Sequence, residues 1–196
     1  MTRGDPVGLP GVAVLAIAFV AMLLALAAAR SRREPGEGGL PRSPRSVIGI
    51  VVQAIAFGVV AFGMQSVTLD PLGSAALVQA AVVAALTAGA IALFVAASRA
   101  MGRNWGLVAR TRDDHVLVTR GPFARVRHPI YAALFLFLPA IAIALGHIPR
   151  LPLAVAVYAL GTWLRVGEEE RLLRARFGAA YDAYAERVQR FVPGLF

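Results

Sequence analysis

Two arginines, a histidine and a tyrosine surround the start of an apolar run in the second half of the 196-residue chain. They are Arg125, Arg127, His128 and Tyr131, and Pro129 among them suits the first turn of a helix. His128 would then lie at or just before the helix N-terminus, where unpaired backbone N–H groups favour an anion. The pattern predicts a polar rim that binds a carboxylate or a phosphate.

The same residue types also gather where no ligand binds. At a membrane surface, arginines extend toward lipid headgroups, and histidine and tyrosine anchor a helix in the interfacial layer. Composition alone favours this interfacial belt over a binding site.

Arg165, Glu168, Glu169 and Glu170 form a second polar cluster. Because Arg165 and Glu169 are four residues apart, they share one face of a continuous helix and are able to pair or to hold a substrate together. Adjacent carboxylates are more often a solvated helix segment, and an arginine beside them usually forms a surface ion pair of little energetic value. We predict a functional role because this acidic cluster stands nearly alone among arginines, whereas a merely solvated surface disperses its charges.

The rest of the sequence excludes several kinds of active site. The chain has no cysteine, which removes thiolate nucleophiles, disulfides, iron–sulfur clusters and cysteine-bound zinc. Its three histidines, His115, His128 and His147, are too widely spaced to predict a metal site. There is no P-loop, no Gly-x-Ser-x-Gly and no dinucleotide fingerprint, so a soluble Rossmann methyltransferase or dehydrogenase is excluded.

The elements that position both clusters are predicted to be transmembrane helices. Apolar residues make up 58% of the chain and the mean hydropathy is +0.68, which is more than a soluble domain of this size can bury. The first apolar run is expected to be a retained helix, because its flanking arginines follow it, whereas those of a signal peptide precede it. We predict an all-α integral membrane bundle of about five transmembrane helices. The apolar runs cover residues 11–29, 47–67, 74–98, 130–146 and 152–164.

The chain beyond Leu164 is predicted to form cytoplasmic amphipathic helices, since apolar residues recur there at steps of three and four between charged ones. Gly178 is expected to separate two of these helices. Two regions result: an N-terminal three-helix membrane region over residues 1–98, and a region over residues 99–196 that holds both polar clusters, the last two spans and the interfacial helices.

Arginine placement predicts the orientation of the bundle. All 20 basic residues are arginine, and 18 of them lie in segments 30–46, 99–128 and 165–196. Cytoplasmic loops accumulate positive charge, so we expect the N-terminus outside and the C-terminus in the cytoplasm. The net charge of +9 would suggest nucleic acid for a soluble chain, but in a membrane protein it predicts anionic lipid headgroups as partners and no nucleic acid. The oligomeric state stays open.

The motifs of the second half resemble the isoprenylcysteine carboxyl methyltransferase family over roughly residues 100–196. They read Gly102-Arg103-Asn104-Trp105; His115-x-Leu117-Val118-Thr119-x-Gly121-Pro122-Phe123; Val126-Arg127-His128-Pro129-x-Tyr131; Glu168-Glu169; and Phe177-Gly178-x-x-Tyr181-x-x-Tyr184. Members of that family are membrane enzymes that bind S-adenosylmethionine (SAM) on the cytoplasmic side, with the last two spans and the polar segments flanking them. The resemblance implies that residues 99–196 are a cofactor-binding catalytic region.

The resemblance also implies roles for individual residues. Arg165 and Glu169 match the family's arginine and glutamate near the reacting groups, so they are the implied catalytic residues. The chain departs from the family pattern at Phe123, where tyrosine is common, and at Ala133, where glycine is common. The residues implied to bind the cofactor, the first three on its adenine side, are His115, Val116, Leu117, Arg127, His128, Pro129, Tyr131 and Glu168.

The expected function is methyl transfer from SAM to a lipophilic or membrane-delivered acceptor, such as an isoprenylcysteine carboxylate. This in-line displacement needs aligned reactants and a dry pocket, but no metal and no nucleophilic side chain. Three alternatives stay open: methylation of a small thiol or a phospholipid amine, an NADPH-dependent membrane reductase of similar architecture, and a non-catalytic subunit. The Ile130-Tyr131 pair differs from the Asn-Tyr of such reductases, and a subunit would not need Arg165 and Glu169 together.

Overall fold

Five long helices follow the five apolar runs in chain order. The computed structural model in which they are seen describes residues 4–32, 43–102 and 116–194. The predicted all-α membrane bundle is confirmed, and Gly178 separates the last two helices as expected. The helices are α1 (Leu9–Ser31), α2 (Pro44–Ala61), α3 (Ser74–Met101), α4 (Pro129–Ala144), α5 (Leu151–Phe177) and the shorter α6 (Ala179–Arg187).

The helices differ in how they suit a membrane. Helices α1, α2 and α3 are long and apolar enough to cross one, and α4 is a shorter apolar helix of 16 residues. Helix α5 is one continuous helix of 27 residues that contains both the fifth apolar run and the polar segment after it. At a rise of about 1.5 Å per residue it is longer than the ~30 Å hydrocarbon layer. Its polar half, residues 165–177, is therefore expected to lie outside the apolar layer. A 3-10 turn at Ile148–Arg150 joins α4 to α5 as a tight hairpin.

Helix α2 ends at Ala61, earlier than the second apolar run predicts. The reason is that the backbone around its end finds partners outside the helix. The His147 ring contacts the Val60 carbonyl oxygen through Nδ1 at 2.7 Å. Farther along, β2 (Ser66–Val67) pairs in parallel with β1 (Pro6–Val7). These contacts use polar backbone groups that a longer helix would pair internally. The chain after α2 therefore folds across the end of the bundle and does not extend the helix.

Helix α4 is the central helix of the bundle. Leu138 and Ala142 pack on α2 and α5, whereas Ala133 packs on α1 and α3. Helix α2 lies along α5, and α3 lies along both α4 and α1. Gly49 and Gly161 allow α2 and α5 to approach closely, because a Cβ at Gly161 would lie 2.9 Å from the Gly49 carbonyl oxygen. Small residues at such contacts are typical of paired membrane helices.

Polar segments meet at one end of the bundle. The chain before α4 bends through a 3-10 turn at Gly121–Ala124, and the residues after α6 lie beside it. The Arg127 N–H donates to the Gln189 carbonyl at 2.7 Å, and the His128 N–H donates to the Arg190 carbonyl at 2.9 Å. The C-terminal tail therefore folds back over the start of α4.

Candidate functional site

His128 lies directly before α4, which begins at Pro129 as the sequence predicts. The residue is 5% exposed. Its Nδ1 lies 3.6 Å from Glu169 Oε2, and its Nε2 lies 3.3 Å from Glu170 Oε1. Burial lowers the pKa of the ring, but hydrogen bonds and charges of the two glutamates outweigh burial and raise the pKa above its usual 6.5. A protonated ring donates from both nitrogens, which matches the two carboxylates that face it.

Glu170 connects several cations from different segments. It is 2% exposed, and it accepts hydrogen bonds from Arg190 Nε at 2.9 Å and Arg190 Nη2 at 2.8 Å. Arg127 Nη2 lies 3.4 Å from the same carboxylate. Burial raises the pKa of this carboxyl, but hydrogen bonds from Arg190 and His128 and the charges of His128 and Arg127 lower it well below its usual range. Glu170 therefore joins α5 to the tail and to the segment before α4.

Glu169 and Arg165 meet at Tyr131 of α4. The Tyr131 hydroxyl donates to the Glu169 carboxylate, and the Arg165 guanidinium carbon lies over the Tyr131 ring, 4.9 Å from its centroid. Arg165 Nη1 also donates to Gln53 Oε1 of α2 at 2.9 Å. The structure therefore brings these side chains and His128 into one cluster, which we call the Arg165 cluster (Arg165, Glu169, His128 and Tyr131).

Glu168 points away from the Arg165 cluster. It accepts hydrogen bonds from Arg171 Nε at 3.0 Å and Arg171 Nη2 at 2.7 Å. These bonds, together with contacts to Ser43 and the charge of Arg45 at the start of α2, outweigh burial and lower the pKa of Glu168 to about 2. Its implied role in cofactor binding stays a prediction, and in the structure Glu168 attaches α5 to the start of α2.

A cavity opens beside the Arg165 cluster, between the segment before α4 and helices α5 and α6. It is a small recess of about 70 Å³ that is partly open to solvent, below the range of about 300 to 1,000 Å³ typical of small-molecule sites. Tyr131 packs against His128 with ring centroids 5.9 Å apart, so it lies one side chain away from the cavity. His115 lies outside the described residues. Four residues implied to bind the cofactor line the cavity: Val116, Leu117, Arg127 and His128.

Two residues of the cavity lining each have a buried polar atom without a protein hydrogen-bond partner among the described residues. They are Arg127 Nε and the hydroxyl oxygen of Tyr181, and both residues line the cavity. A buried polar group without a partner costs free energy and calls for an explanation. Both groups are donors, so a ligand that brought oxygen or nitrogen acceptors within reach would satisfy them.

Sequence reasoning missed three residues of this site. Glu170 is part of the acidic cluster, but its partners Arg127 and Arg190 are distant in sequence. Tyr181 belongs to one of the motifs, but no role was predicted for it. Gln53 lies in the N-terminal region, which carries no motif. For Gln53, a glutamine within an apolar run was a usable signal of a contact with another helix, because such side chains hydrogen-bond across membrane helices.

The chain is similar to known methyltransferases over its second half. The sequence model of the isoprenylcysteine carboxyl methyltransferase (ICMT) family matches residues 81–175. The protein-S-isoprenylcysteine O-methyltransferase of Tribolium castaneum is 35% identical over 85 residues, which cover 41% of this chain and 29% of that protein. The protein of the same name from Schizosaccharomyces pombe is 33% identical over 92 residues, which cover 44% of this chain and 37% of that protein. The match thus spans less than half of the length of either relative.

A solved structure shows the same fold over nearly the whole chain. The structure of the eukaryotic intramembrane Ras methyltransferase ICMT matches with a TM-score of 0.58 at 20% identity, covering 94% of this chain and 68% of that chain. The similarity in fold therefore includes the N-terminal helices, where the sequence carries no motif. The resemblance seen in the sequence motifs is confirmed: residues 81–175 match the isoprenylcysteine carboxyl methyltransferase family, and the chain has the fold of the solved eukaryotic methyltransferase.

Proposed function

We propose that this integral membrane protein is a SAM-dependent methyltransferase that esterifies the carboxylate of a lipophilic acceptor, such as an isoprenylcysteine. The observation that carries the proposal is the Arg165 cluster beside a partly open cavity whose lining contains four of the residues implied to bind the cofactor. The relatives are named for methyl transfer to protein isoprenylcysteine, and the proposal assigns that reaction to this chain.

The cavity is the proposed cofactor site. Val116 and Leu117 supply apolar wall of the kind that covers an adenine ring, while Tyr181 and Arg127 supply buried polar groups for ribose or carboxylate oxygens. SAM, when bound, supplies an electrophilic methyl group on its sulfur. His128 lines the cavity and contacts Glu169, so it connects the proposed cofactor site to the Arg165 cluster.

The acceptor is proposed to meet Arg165 where the apolar half of α5 ends. Leu160 and Trp163 of the same helix are exposed, so α5 offers an apolar surface within about a turn and a half of Arg165, although on another face of the helix. The guanidinium fork holds a carboxylate through two parallel hydrogen bonds. Because a carboxylate is already ionised at neutral pH, the transfer needs no general base.

We propose that the site faces the cytoplasm and that the N-terminus lies outside. At the end of the bundle opposite the site, the Asp5 N–H donates to the Gly146 carbonyl at 2.8 Å, and Pro6–Val7 pairs with Ser66–Val67. The N-terminal segment thus lies with the connections over residues 62–73 and 145–150, which contain one arginine between them, Arg150. The arginine-rich end would contact anionic headgroups of the cytoplasmic leaflet.

Reporter fusions are expected to place the two ends of the bundle on opposite sides of the membrane. A fusion after Gly38 follows the arginines at the end of α1 and should behave as cytoplasmic, whereas one after Asp70 should behave as extracytoplasmic. Paired reporters, one active only in the cytoplasm and one only outside, measure this. The reverse pattern would overturn the orientation.

Tyr181→Phe is expected to weaken SAM binding about two- to tenfold without lowering the melting temperature. The hydroxyl is buried and has no protein partner among the described residues, so its removal costs the free protein no hydrogen bond. In the complex its removal costs one hydrogen bond, worth about 0.5 to 1.5 kcal/mol. Calorimetric titration of the purified protein in detergent with SAM measures the affinity.

Tyr184→Phe is the matched control, because the Tyr184 hydroxyl donates to the Phe123 carbonyl at 2.7 Å. It should lower the melting temperature and change SAM affinity less than Tyr181→Phe does. An unchanged affinity in Tyr181→Phe would remove the cavity as the cofactor site. Titration of the wild type with NADPH tests the alternative that the protein is a reductase. Binding of NADPH without binding of SAM would refute methyl transfer.

A further inference from the structure

We propose that Gln53 of α2 is a positioning residue, which orients the Arg165 guanidinium toward the carboxylate of the acceptor. The inference rests on the function proposed above and extends the working site to the N-terminal region. Arg165 Nη1 donates to Gln53 Oε1 at 2.9 Å, and Gln53 Nε2 donates to Thr162 Oγ1 at 2.8 Å. The Gln53 side chain of α2 thus contacts two residues, Thr162 and Arg165, on one face of α5.

The chemistry of the neighbours fixes the orientation of the Gln53 amide. A guanidinium has only donors, so the oxygen of the amide must face Arg165 and its nitrogen must face Thr162. The Thr162 hydroxyl then accepts the second hydrogen bond and holds the amide in this orientation. A rotated amide would place its N–H₂ group against the guanidinium, so Thr162 also secures the position of Arg165.

Packing confines Arg165 as closely as the hydrogen bonds do. Gln53, Thr162 and Arg165 are 4%, 5% and 7% exposed. A Cβ at Gly49 would lie 2.4 Å from Arg165 Cγ, so the stem of the arginine occupies space that only a glycine on α2 leaves free. Tyr131 contacts the guanidinium through its ring. The arginine is therefore held along its stem and at its head.

The neutral character of Gln53 is part of the argument. A carboxylate at this position would also accept a hydrogen bond from Arg165, but it would pair with the positive charge that the acceptor needs. A glutamine accepts the same hydrogen bond without adding a negative charge of its own beside the guanidinium. A purely structural polar contact between α2 and α5 would not require this distinction.

The test compares Gln53→Met with Gln79→Met. Gln79 is a second polar residue in the helices, and it bonds to Gly8 N–H at 2.8 Å and to the Ile143 carbonyl at 3.1 Å, away from the Arg165 cluster. Gln53→Met should lower kcat for a carboxylate acceptor at least about tenfold, because small misplacements of catalytic groups are costly. It should leave the SAM Kd within about twofold. Gln79→Met should lower the melting temperature and leave kcat within about twofold of the wild type.

Two further comparisons keep the proposal falsifiable if Gln53→Met folds poorly. Thr162→Val removes the oxygen that holds the Gln53 amide and should lower kcat. Thr162→Ser keeps that oxygen, and its kcat should stay near that of the wild type. Gln53→Glu should also lose turnover although it can still accept the hydrogen bond. A kcat that follows the melting temperature alone in all five variants, or a Gln53→Met kcat equal to that of Gln79→Met, would overturn the inference and leave the proposed function intact. Absence of methyl transfer by the wild type to every acceptor class would overturn both.

Discussion

Glu170→Gln is expected to lower the free energy of unfolding by about 3 kcal/mol, because removing one charge of a buried ion pair typically costs about 3 to 5 kcal/mol. Glu170 is 2% exposed, and Arg127, whose side chain is 10% exposed, would lose the carboxylate that faces it. The tail would keep at most one of the two hydrogen bonds that hold Arg190, because a glutamine amide has only one acceptor oxygen. Thermal unfolding in detergent measures the loss of stability, and trypsin cleavage after Arg190 measures release of the tail.

Glu186→Gln is the control for this prediction. Glu186 is an exposed acid of α6, and such surface substitutions usually change stability by less than about 0.5 kcal/mol. Equal melting temperatures and equal cleavage rates for the two variants would contradict the assignment of Glu170 as the residue that joins α5 to the tail.

The pH dependence of wild-type stability should show two limbs, and Glu170→Gln should reduce the acidic one, while Glu168, whose pKa is also lowered, retains part of it. Because the folded pKa of Glu170 is depressed, its contribution is present above the usual 4.5 and is lost as the pH falls toward the folded pKa. Because the folded pKa of His128 is raised, its contribution is complete below the usual 6.5 and is lost as the pH rises through the folded pKa. Stability from these two groups is therefore greatest between about pH 4.5 and 6.5.

Most of the helical architecture could be predicted from the sequence, because it depends on local properties. Apolar runs of sufficient length predict the five long helices, and Gly178, with φ of 49°, ends α5 where the chain must change direction. Pro129 predicts the start of α4, and the four-residue spacing of Arg165 and Glu169 predicts their common face. Each of these inferences needs only residues that are close together in the chain.

The partners of the site residues could not be predicted in the same way. Glu168, Glu169 and Glu170 are consecutive, and successive helix positions point about 100° apart. In the structure they reach Arg171, Tyr131 and Arg190 respectively. Helix periodicity predicts that consecutive side chains point in different directions. Only the packing of α4, α5 and the tail determines which residue each of them contacts. The contact of Gln53 with Arg165 depends in the same way on the close approach of α2 and α5.

Arg165→Lys is expected to reduce turnover about 100-fold, because a displacement of the acceptor carboxylate by about 1 Å from its reactive position costs roughly that much. An ammonium supplies a point charge, whereas the planar guanidinium holds a carboxylate through two hydrogen bonds and also stacks on Tyr131. Lysine would also lose the geometry of the hydrogen bond to Gln53. The affinity for SAM should stay within about threefold, because Arg165 is not part of the cavity wall. Steady-state kinetics with calorimetric SAM titration separates the two effects.

Glu169→Gln should differ from Arg165→Lys by damaging both turnover and SAM binding, since Glu169 contacts His128 on the cavity side and Tyr131 on the arginine side. Arg187→Lys is the matched control for the arginine, because Arg187 is exposed on α6 and bonds only to the Ala183 carbonyl in its own helix among the described contacts. If Arg165 and Glu169 formed nothing more than a stabilising pair, worth about 0.3 to 0.5 kcal/mol, all three variants would keep near-normal turnover, and the reaction centre would have to lie elsewhere. A loss in Arg165→Lys that is confined to carboxylate acceptors, with thiol and amine acceptors unaffected, would identify the carboxylate as the group that the guanidinium holds.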